Sequence, residues 1–452
     1  MKSKIIFAFV LILFLISRIY KIAEIPSSVY WDEASIGYNA FAIATDLKDE
    51  WGETLPLHFR AFGEFKLPVY IYSVVPFVKI LGLNEYAVRL PAVLYSLGTL
   101  LLAYFLTKKI TGKEFIAILS SFILSISPWL FIFSRTGYEA TAGLFFFLLG
   151  TYLFLFIGKN RFHILFGTIA FILSFYSYNS FRIIIPIWLA ALLVYTFYEL
   201  KNLKKNWILV LVSLLFFTVS LIPVYRLYKF DTGGLRFAQV EVESTNDFVK
   251  NYFSQFSPQF LFLKGDDNPR SQIPGRGQLY LIEIPFIILG LLAIYRNRKL
   301  LYYLPLLALI LAPIPAAITR ESPHALRGIL AAPSFAIISA FGIHFLMESF
   351  KKYSKIIFAC VVAVYVLSFE AYLTGFVTKY AVETASDWQY QYKEIFANQK
   401  SGIVTDKYAE PYIFALFYLK YPPEKFRAEV KYNPVDKWGF SLVSSFNGFQ
   451  FK

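Results

Sequence analysis

Long apolar runs recur along most of the 452-residue chain and constrain its fold more than any other feature. A run of about 20 residues with few or no charges is long enough to cross the hydrocarbon core of a bilayer as a helix. Hydrophobic residues make up 57% of the sequence and charged residues 16%, whereas soluble domains carry about 25% charged residues. The chain is therefore predicted to be an all-α polytopic membrane protein, and a cytosolic enzyme or a nucleic-acid-binding domain is excluded.

Eleven apolar segments are predicted to form transmembrane helices. The first follows a basic start and is not followed by a small-residue cleavage site, so it is expected to be a retained span and not a signal peptide. The predicted spans lie near 5–16, 88–107, 115–133, 139–157, 162–179, 183–199, 207–225, 279–295, 300–318, 326–346 and 356–373.

Basic residues in alternate loops support this count. All of these loops fall on the same side of the membrane as the basic N-terminus, and the positive-inside rule places that side in the cytoplasm. With an odd number of spans, the C-terminus then lies outside the cytoplasmic membrane. The loops hold Lys108, Lys109 and Lys113; Lys159 and Arg161; Lys201, Lys204 and Lys205; Arg296, Arg298 and Lys299; and Lys351, Lys352 and Lys355.

Two long loops, near 21–87 and 226–278, are expected on the extracytoplasmic side. Within the first of them, Leu67–Leu81 is apolar but short, contains two prolines, and would break the charge pattern if it crossed the membrane. We therefore predict that this segment is an interfacial helix.

The C-terminal tail has a different composition from the rest of the chain. From Tyr380 charged and aromatic residues alternate, and the patterns predict strands at Gly402–Thr405 and Phe440–Ser444 with a helix at Pro411–Lys420 between them. The prediction is a transmembrane domain over 1–375 and a small α/β extracytoplasmic domain over 376–452. The strand-like last residues leave open whether this domain is complete.

Acidic residues at the predicted outer membrane face are candidates for catalysis. Asp32 and Glu33 follow the first span, and Glu139 lies in a tight loop between two spans. A carboxylate there can deprotonate a hydroxyl acceptor or hold a metal ion. The alternative for Asp32 and Glu33 is a structural role, in which their negative charges stabilise the N-terminus of a helix. The alternative for Glu139 is a local ion pair with Arg135 at helical spacing.

Basic residues also collect on the outer side, against the positive-inside tendency. Because guanidinium and ammonium groups suit phosphate, they indicate an anionic ligand; lipid head groups are the alternative partner. Near them Tyr178 could stack on a sugar or contact a phosphate. The candidate substrate-binding residues are Glu33, Lys66, Arg135, Tyr178, Arg182, Arg320, His324 and Arg327.

Three short motifs occur in order: Trp31-Asp32-Glu33-Ala34 after the first span, Lys66-Leu67-Pro68 in the first outer loop, and Val88-Arg89-Leu90-Pro91 at the second span. With the acid Glu139 after the third span, they resemble the GT-C superfamily of integral-membrane glycosyltransferases. The likeness is to the branch of the dolichyl-phosphate-mannose protein mannosyltransferases and the lipid A aminoarabinose transferases. It covers roughly residues 1–375.

The resemblance implies a polyprenyl-phosphate sugar as donor, Asp32 as the catalytic aspartate, Lys66 on the phosphate, Glu139 at the second acidic position, and Arg320 or Arg327 on the lipid phosphate. The acceptor would be a hydroxyl of a protein, lipid or glycan, whose oxygen would attack the anomeric carbon of the sugar in one inverting displacement while Asp32 accepts its proton. In aminoarabinose transferases two charged residues stand side by side where this chain reads Glu64-Phe65-Lys66, which argues against a metal role for Glu64. A divalent metal ion elsewhere in the site is left open.

Two other classes of function fit a polytopic basic chain. A transporter or flippase of lipid-linked sugars would share the composition, but such proteins usually have internal repeats and charges at the membrane midplane. No repeat is visible in this sequence, and its charges lie near the outer ends of the spans. A non-catalytic envelope assembly protein is the third class, and it requires the carboxylates to be structural.

Overall fold

The computed structural model describes residues 2–62, 64–199, 207–230, 240–407, 410–434 and 442–452. The predicted basic loop at Lys201–Lys205 and the first two residues of the predicted strand 440–444 lie outside these ranges. The α-helices of the described residues are Lys2–Ile19, Trp31–Asp46, Pro68–Leu81, Glu85–Thr111, Glu114–Ile126, Pro128–Phe131, Ala140–Leu155, His163–Phe175, Asn179–Glu199, Trp207–Ser220, Ile222–Phe230, Thr245–Ser254, Glu283–Asn297, Leu304–Leu311, Ile314–Ala317, Ala331–Ser349, Ser354–Gly375, Ala381–Glu383, Tyr390–Asn398, Pro411–Tyr418 and Pro423–Glu429.

Helices cover all eleven segments that were predicted to span the membrane. By length and composition, six stretches of the described residues could cross a membrane: Glu85–Thr111, Asn179–Thr196, Trp207–Lys229, Leu300–Ala317, Ala331–Ser349 and Lys351–Glu383. A seventh is obtained if Glu114–Ile126 and Pro128–Arg135, which meet at a bend of 63°, form one span. The predicted polytopic helical architecture is confirmed, and the count of eleven spans stays a prediction.

Local sequence signals set the ends of the helices around the first outer loop. The helix Glu85–Thr111 begins at Asn84, whose side chain accepts a hydrogen bond from the Ala87 N–H, and it ends at Gly112 in the left-handed region. Both are the residues these positions favour, since Asn satisfies a free helix N–H and Gly adopts positive φ without steric cost. The segment that was predicted to be an interfacial helix is helical over Pro68–Leu81, with proline at its first position, and its place at the membrane interface stays a prediction.

Six short strands of the described residues form two sheets. β1 (Phe59–Ala61) and β2 (Glu64–Lys66) pair antiparallel in the first outer loop. β3 (Gly402–Val404), β4 (Lys431–Tyr432), β5 (Val443–Phe446) and β6 (Phe449–Phe451) form a C-terminal sheet in the order β3-β6-β5-β4, in which only the β3–β6 pair is parallel. The small C-terminal α/β region is therefore present. β3 and β6 lie where strand-like residues were predicted, β5 extends two residues beyond the predicted strand 440–444, and β4 was not predicted.

The C-terminal region shares a hydrophobic core with the first outer loop. Buried residues of the helices Trp31–Asp46 and Pro68–Leu81 pack with Tyr412–Phe417 and with the aromatic residues of β5 and β6. The approach at Gly37 is so close that a Cβ there would lie 2.7 Å from Cε2 of Phe417. The helix that carries Asp32 is thus buried between the membrane helices and the outer domain.

Candidate active site

A cavity of about 560 Å³ opens at the end of the helix bundle that carries the first outer loop. Six of the residues predicted from the sequence line it: Asp32, Lys66, Glu139, Tyr178, Arg182 and Arg327. They come from separate parts of the chain, which the fold brings to one place. The remaining wall is largely apolar or aromatic and includes Leu227, Tyr228, Val240 and Ile318.

A buried ammonium group lies among the carboxylates of the cavity. The Lys66 Nζ contacts the carboxylate of Asp32 and lies 3.2 Å from Oε1 of Glu64. Lys66 is 4% exposed. Burial alone would lower the pKa of Lys66, but the two carboxylates outweigh it and the pKa is raised, so the side chain stays charged.

Glu139 brings a third carboxyl group to the same place. It lies in the loop before the helix Ala140–Leu155 and lines the cavity, and its Oε1 is buried without a hydrogen-bond partner in the described part of the chain. Burial raises the pKa of this carboxyl to about 8, against the opposing effect of the Lys66 ammonium. Glu139 is therefore mainly protonated at neutral pH and can donate a hydrogen bond into the cavity.

Two guanidinium groups line the same cavity. Arg182 donates from Nε to the Phe175 carbonyl over 3.3 Å, and its guanidinium lies 5.2 Å from the centroid of the Phe175 ring. Among the residues that the structure describes, no carboxylate forms an ion pair with Arg182. Arg327 donates to the Thr319 hydroxyl over 2.7 Å and pairs with the exposed Glu321. Arg182 is half-buried, and a guanidinium group that no described carboxylate neutralises suits an anionic ligand.

Glu33 lies below the cavity, although it is adjacent to Asp32 in sequence. Both of its oxygens bind Arg89, with Nε–Oε1 at 3.0 Å and Nη2–Oε2 at 3.1 Å, and both side chains are fully buried. The Gly137 N–H also donates to Glu33 Oε1 over 2.7 Å. A Cβ on Gly137 would lie 2.8 Å from Val88 and 3.2 Å from Glu33, so glycine is required. The substrate-binding assignment of Glu33 is corrected to a structural one, since no group of this carboxylate is left for a ligand.

Arg135 belongs to the same buried layer and not to the cavity. Its guanidinium donates to the backbone carbonyls of Ser17, Arg18 and Tyr20, over 2.6–2.8 Å. Its predicted substrate role is corrected for that reason, and the alternative of a local pair with Glu139 is not observed. Arg18 was not predicted and is buried beside it, donating to the Ser134 hydroxyl over 2.7 Å. We call Arg18, Glu33, Arg89 and Arg135 the scaffold network.

Two other predicted ligands also lie away from the cavity lining. Arg320 is at the surface, where it pairs with Glu243 over 3.0 Å. His324 is buried, and desolvation together with the charges of Arg327 and Arg270 lowers its pKa to about 3, so it is neutral at physiological pH. Its Nδ1 lies 3.7 Å from Asp266. Neither is placed to bind the phosphate of a ligand in the cavity, and both assignments are corrected.

The divalent metal ion that the sequence left open has no set of ligands among the described residues. Among the described residues, no group of three His, Cys, Asp or Glu side chains could hold a metal ion. The position between Asp32 and Glu64, where a cation would lie, holds the Lys66 ammonium.

Sequence reasoning missed Arg270, which lies against the two aromatic residues that precede Asp32. The guanidinium of Arg270 lies 5.2 Å from the ring centroid of Tyr30 and 5.1 Å from that of Trp31. It also donates to the Asp387 carbonyl over 3.1 Å. Arg270 lies in the long loop 226–278, where no periodic pattern marks a residue as buried, so its place is visible only in the fold.

The arrangement of helices is similar to that in the solved structures of two other proteins. It is similar to ArnT from Cupriavidus metallidurans in the apo state, with a TM-score of 0.59 and 13% identity over 92% of this chain and 84% of that one. The same enzyme bound to undecaprenyl phosphate gives a TM-score of 0.53 at 14% identity over the same shares of the chains. The oligosaccharyltransferase of Archaeoglobus fulgidus in the apo form gives 0.52 at 13% identity, over 92% of this chain and 63% of that one. The predicted resemblance in fold is confirmed.

Part of the sequence matches a family model. Residues 8–163 match the family model of the dolichyl-phosphate-mannose-protein mannosyltransferases. This stretch holds Asp32, Lys66 and Glu139, together with the buried pair of Glu33 and Arg89. No curated protein matches the chain in sequence.

Proposed function

We propose that the chain is a glycosyltransferase that moves a hexose or pentose from a polyprenyl-phosphate donor to a hydroxyl acceptor at the extracytoplasmic face. The observation that carries the proposal is the composition of one cavity. It combines carboxyl groups at Asp32, Glu64 and Glu139 with guanidinium groups at Arg182 and Arg327 and with an apolar wall. A lipid-linked sugar phosphate needs these three kinds of surface together.

The phosphate of the donor is assigned to Arg182 and Arg327. Of the cavity cations, Lys66 already contacts two carboxylates, whereas no described carboxylate pairs with Arg182. Guanidinium groups bind phosphate oxygens in a fixed fork geometry and stabilise the charge that develops on a leaving phosphate. Lys66 is assigned to holding Asp32 in place, in addition to the phosphate role that the resemblance implies.

Asp32 is assigned as the general base. As the acceptor hydroxyl oxygen attacks the anomeric carbon, its proton passes to the Asp32 carboxylate. The bond between the anomeric carbon and the phosphate oxygen breaks, and polyprenyl phosphate leaves with the electron pair. One such displacement inverts the anomeric centre. Glu139, which is mainly protonated at neutral pH, offers a hydrogen-bond donor to the sugar or to the departing phosphate.

Two of the similarities described above support a donor in which the sugar is carried on a lipid phosphate. ArnT has been crystallised with undecaprenyl phosphate, and the matching family is described by a dolichyl-phosphate-linked mannose. The apolar wall beside Arg182, formed in part by Leu227 and Ile318, would contact the first isoprene units.

The test is sugar transfer by the purified protein in nanodiscs. Undecaprenyl and dolichyl phosphates carrying labelled hexoses or pentoses are supplied with protein, lipid and glycan acceptors from the envelope. We expect label in one acceptor class, with release of one polyprenyl phosphate for each sugar transferred and an inverted anomeric configuration. Movement of the lipid-linked sugar across the membrane of liposomes, without transfer of the sugar to any acceptor, would contradict the proposal and identify a transporter.

A further inference from the structure

The helix that carries Asp32 lacks a cap of its own. Its N-cap residue is Tyr30, whose side chain makes no capping hydrogen bond. The first N–H groups of a helix have no partner inside the helix, and a buried helix start needs an acceptor from elsewhere. Here the acceptor comes from the outer domain, because Trp31 N–H donates to the side-chain Oε1 of Gln389 over 3.0 Å.

The residue that supplies this acceptor is itself in an unusual conformation. Gln389 is 2% exposed and has φ of 55°, in the left-handed region that disfavours residues with a Cβ. Its backbone N–H donates to the Ser386 carbonyl over 3.0 Å. Backbone strain of this kind persists where the surrounding structure demands it, often at functional sites.

Trp388, the residue before Gln389, packs against the first outer loop and hydrogen-bonds to it. Trp388 is fully buried, and its ring meets that of Tyr30 edge-on at 5.5 Å. Its carbonyl accepts a hydrogen bond from the Ser28 hydroxyl, and its indole N–H donates to the Tyr380 hydroxyl over 3.0 Å. The position of the Gln389 side chain relative to Trp31 is therefore fixed from both sides.

We propose that Gln389 is a positioning residue for Asp32, supplied by the outer domain to the start of the catalytic helix. Asp32 follows Trp31 directly, so the direction of the first helical turn sets where its carboxylate lies relative to Lys66 and to the acceptor hydroxyl. The proposal rests on the proposed function for its kinetic consequence, and its structural part can be tested without it.

The kinetic test compares Gln389→Ala with Gln389→Glu, which keeps the acceptor oxygen and suits a helix N-terminus. Misplacing a reacting group by about 1 Å can cost up to about 100-fold in rate. We expect Gln389→Ala to lower kcat about 10- to 100-fold with the donor KM within about twofold of wild type, because the phosphate is assigned to Arg182 and Arg327 and not to the start of this helix. Gln389→Glu should recover most of kcat, and Gln399→Ala, at an exposed glutamine of the same domain, should have no effect.

Hydrogen exchange gives a readout that does not depend on sugar transfer. In the full-length protein, the amides of residues 29–37 should exchange faster in Gln389→Ala and at the wild-type rate in Gln389→Glu. Unchanged exchange in Gln389→Ala would overturn the proposal, and so would equal losses of kcat in both variants. If the wild type transfers no sugar but the exchange pattern is as expected, the proposed function fails while the cap of this helix stands.

Discussion

Asp32 and Glu33 are adjacent in sequence but belong to two different regions of the molecule. Asp32 lines the cavity, is partly exposed and contacts Lys66. Glu33 lies in the scaffold network, is fully buried and has both oxygens bound to Arg89. Successive residues of a helix point about 100° apart, so one helical turn can serve both regions.

The difference between the two regions lies in what their charges are bound to. In the scaffold network the partners are other side chains and backbone carbonyls, and they connect the end of the first helix, the second helix and the loop at 134–137. In the cavity, Oε1 of Glu139 has no hydrogen-bond partner among the described residues, and no described carboxylate pairs with Arg182. A buried ion pair such as Glu33 and Arg89, whose charges neutralise each other, stabilises the fold, whereas a charged or polar group of the cavity without such a partner is a candidate contact for a ligand.

Breaking the scaffold network should have the largest effect. Arg89→Met removes the partner of Glu33 while keeping much of the side-chain volume, and it leaves a buried carboxylate uncompensated. Removal of one member of a buried ion pair costs about 3–5 kcal/mol, so we expect the free energy of unfolding to fall by that amount. Thermal unfolding in nanodiscs measures it.

The matched control is the exposed pair of Arg320 and Glu243, whose side chains are 58% and 78% exposed. Arg320→Ala should cost no more than about 1 kcal/mol, as exposed pairs do. Equal losses of stability in Arg89→Met and Arg320→Ala would show that the scaffold network does not have the structural role assigned to it.

Removing a cavity cation should affect the donor and not the fold. Arg182→Ala loses charged hydrogen bonds to phosphate, worth about 1.5–3 kcal/mol, so kcat/KM for the donor should fall roughly 10- to 150-fold. Arg320→Ala, which was an equal candidate in the sequence, should stay within about twofold of wild type. Steady-state kinetics with varied donor concentration gives both values. The same loss in both variants would assign the arginines to lipid head groups.

The smallest effect expected is a change in pH dependence at Glu139. Because the pKa of this carboxyl is raised to about 8, it is protonated at neutral pH and ionises as the pH rises through 8. If the protonated form is the active one, wild-type transfer should fall above pH 8. Glu139→Gln stays neutral, so its rate should be several-fold lower at pH 7 but flat up to pH 9. A pH–rate profile in which the variant keeps the fall above pH 8 would remove Glu139 from this role.

Much of the fold could be predicted from the sequence because membrane helices and their ends have strong local signals. The length of the apolar runs indicates the helices, and Asn84 and Gly112 indicate the two ends of the helix Glu85–Thr111. In the C-terminal region β3 was found where it was predicted, whereas β4 was missed because a two-residue strand of mixed composition has a weak signal. That this region packs against the first outer loop follows from contacts such as Phe417 with Gly37, which no local pattern encodes.

For the site, residue type predicted where charges gather but not which of them share a cavity. Lys66, Glu139, Arg182 and Arg327 were brought together with Asp32 as expected. Four other candidates are charged or titratable residues near span ends, as the cavity residues are, but they lie outside the cavity: Glu33, Arg135, Arg320 and His324. Their burial or pairing depends on partners that are far away along the chain. The same limit hid Gln389, whose contact with Trp31 spans 358 residues.

The most direct test of this account compares Asp32→Asn and Glu33→Gln in one experiment. Both substitutions remove a carboxylate and keep the size of its side chain. For each purified variant in nanodiscs, sugar transfer and thermal stability are measured on the same sample. We expect Asp32→Asn to lose at least about 100-fold in kcat, the usual contribution of a general base, with stability near wild type, and Glu33→Gln to lose stability while its folded fraction keeps the wild-type donor KM. Wild-type transfer by Asp32→Asn would contradict the account.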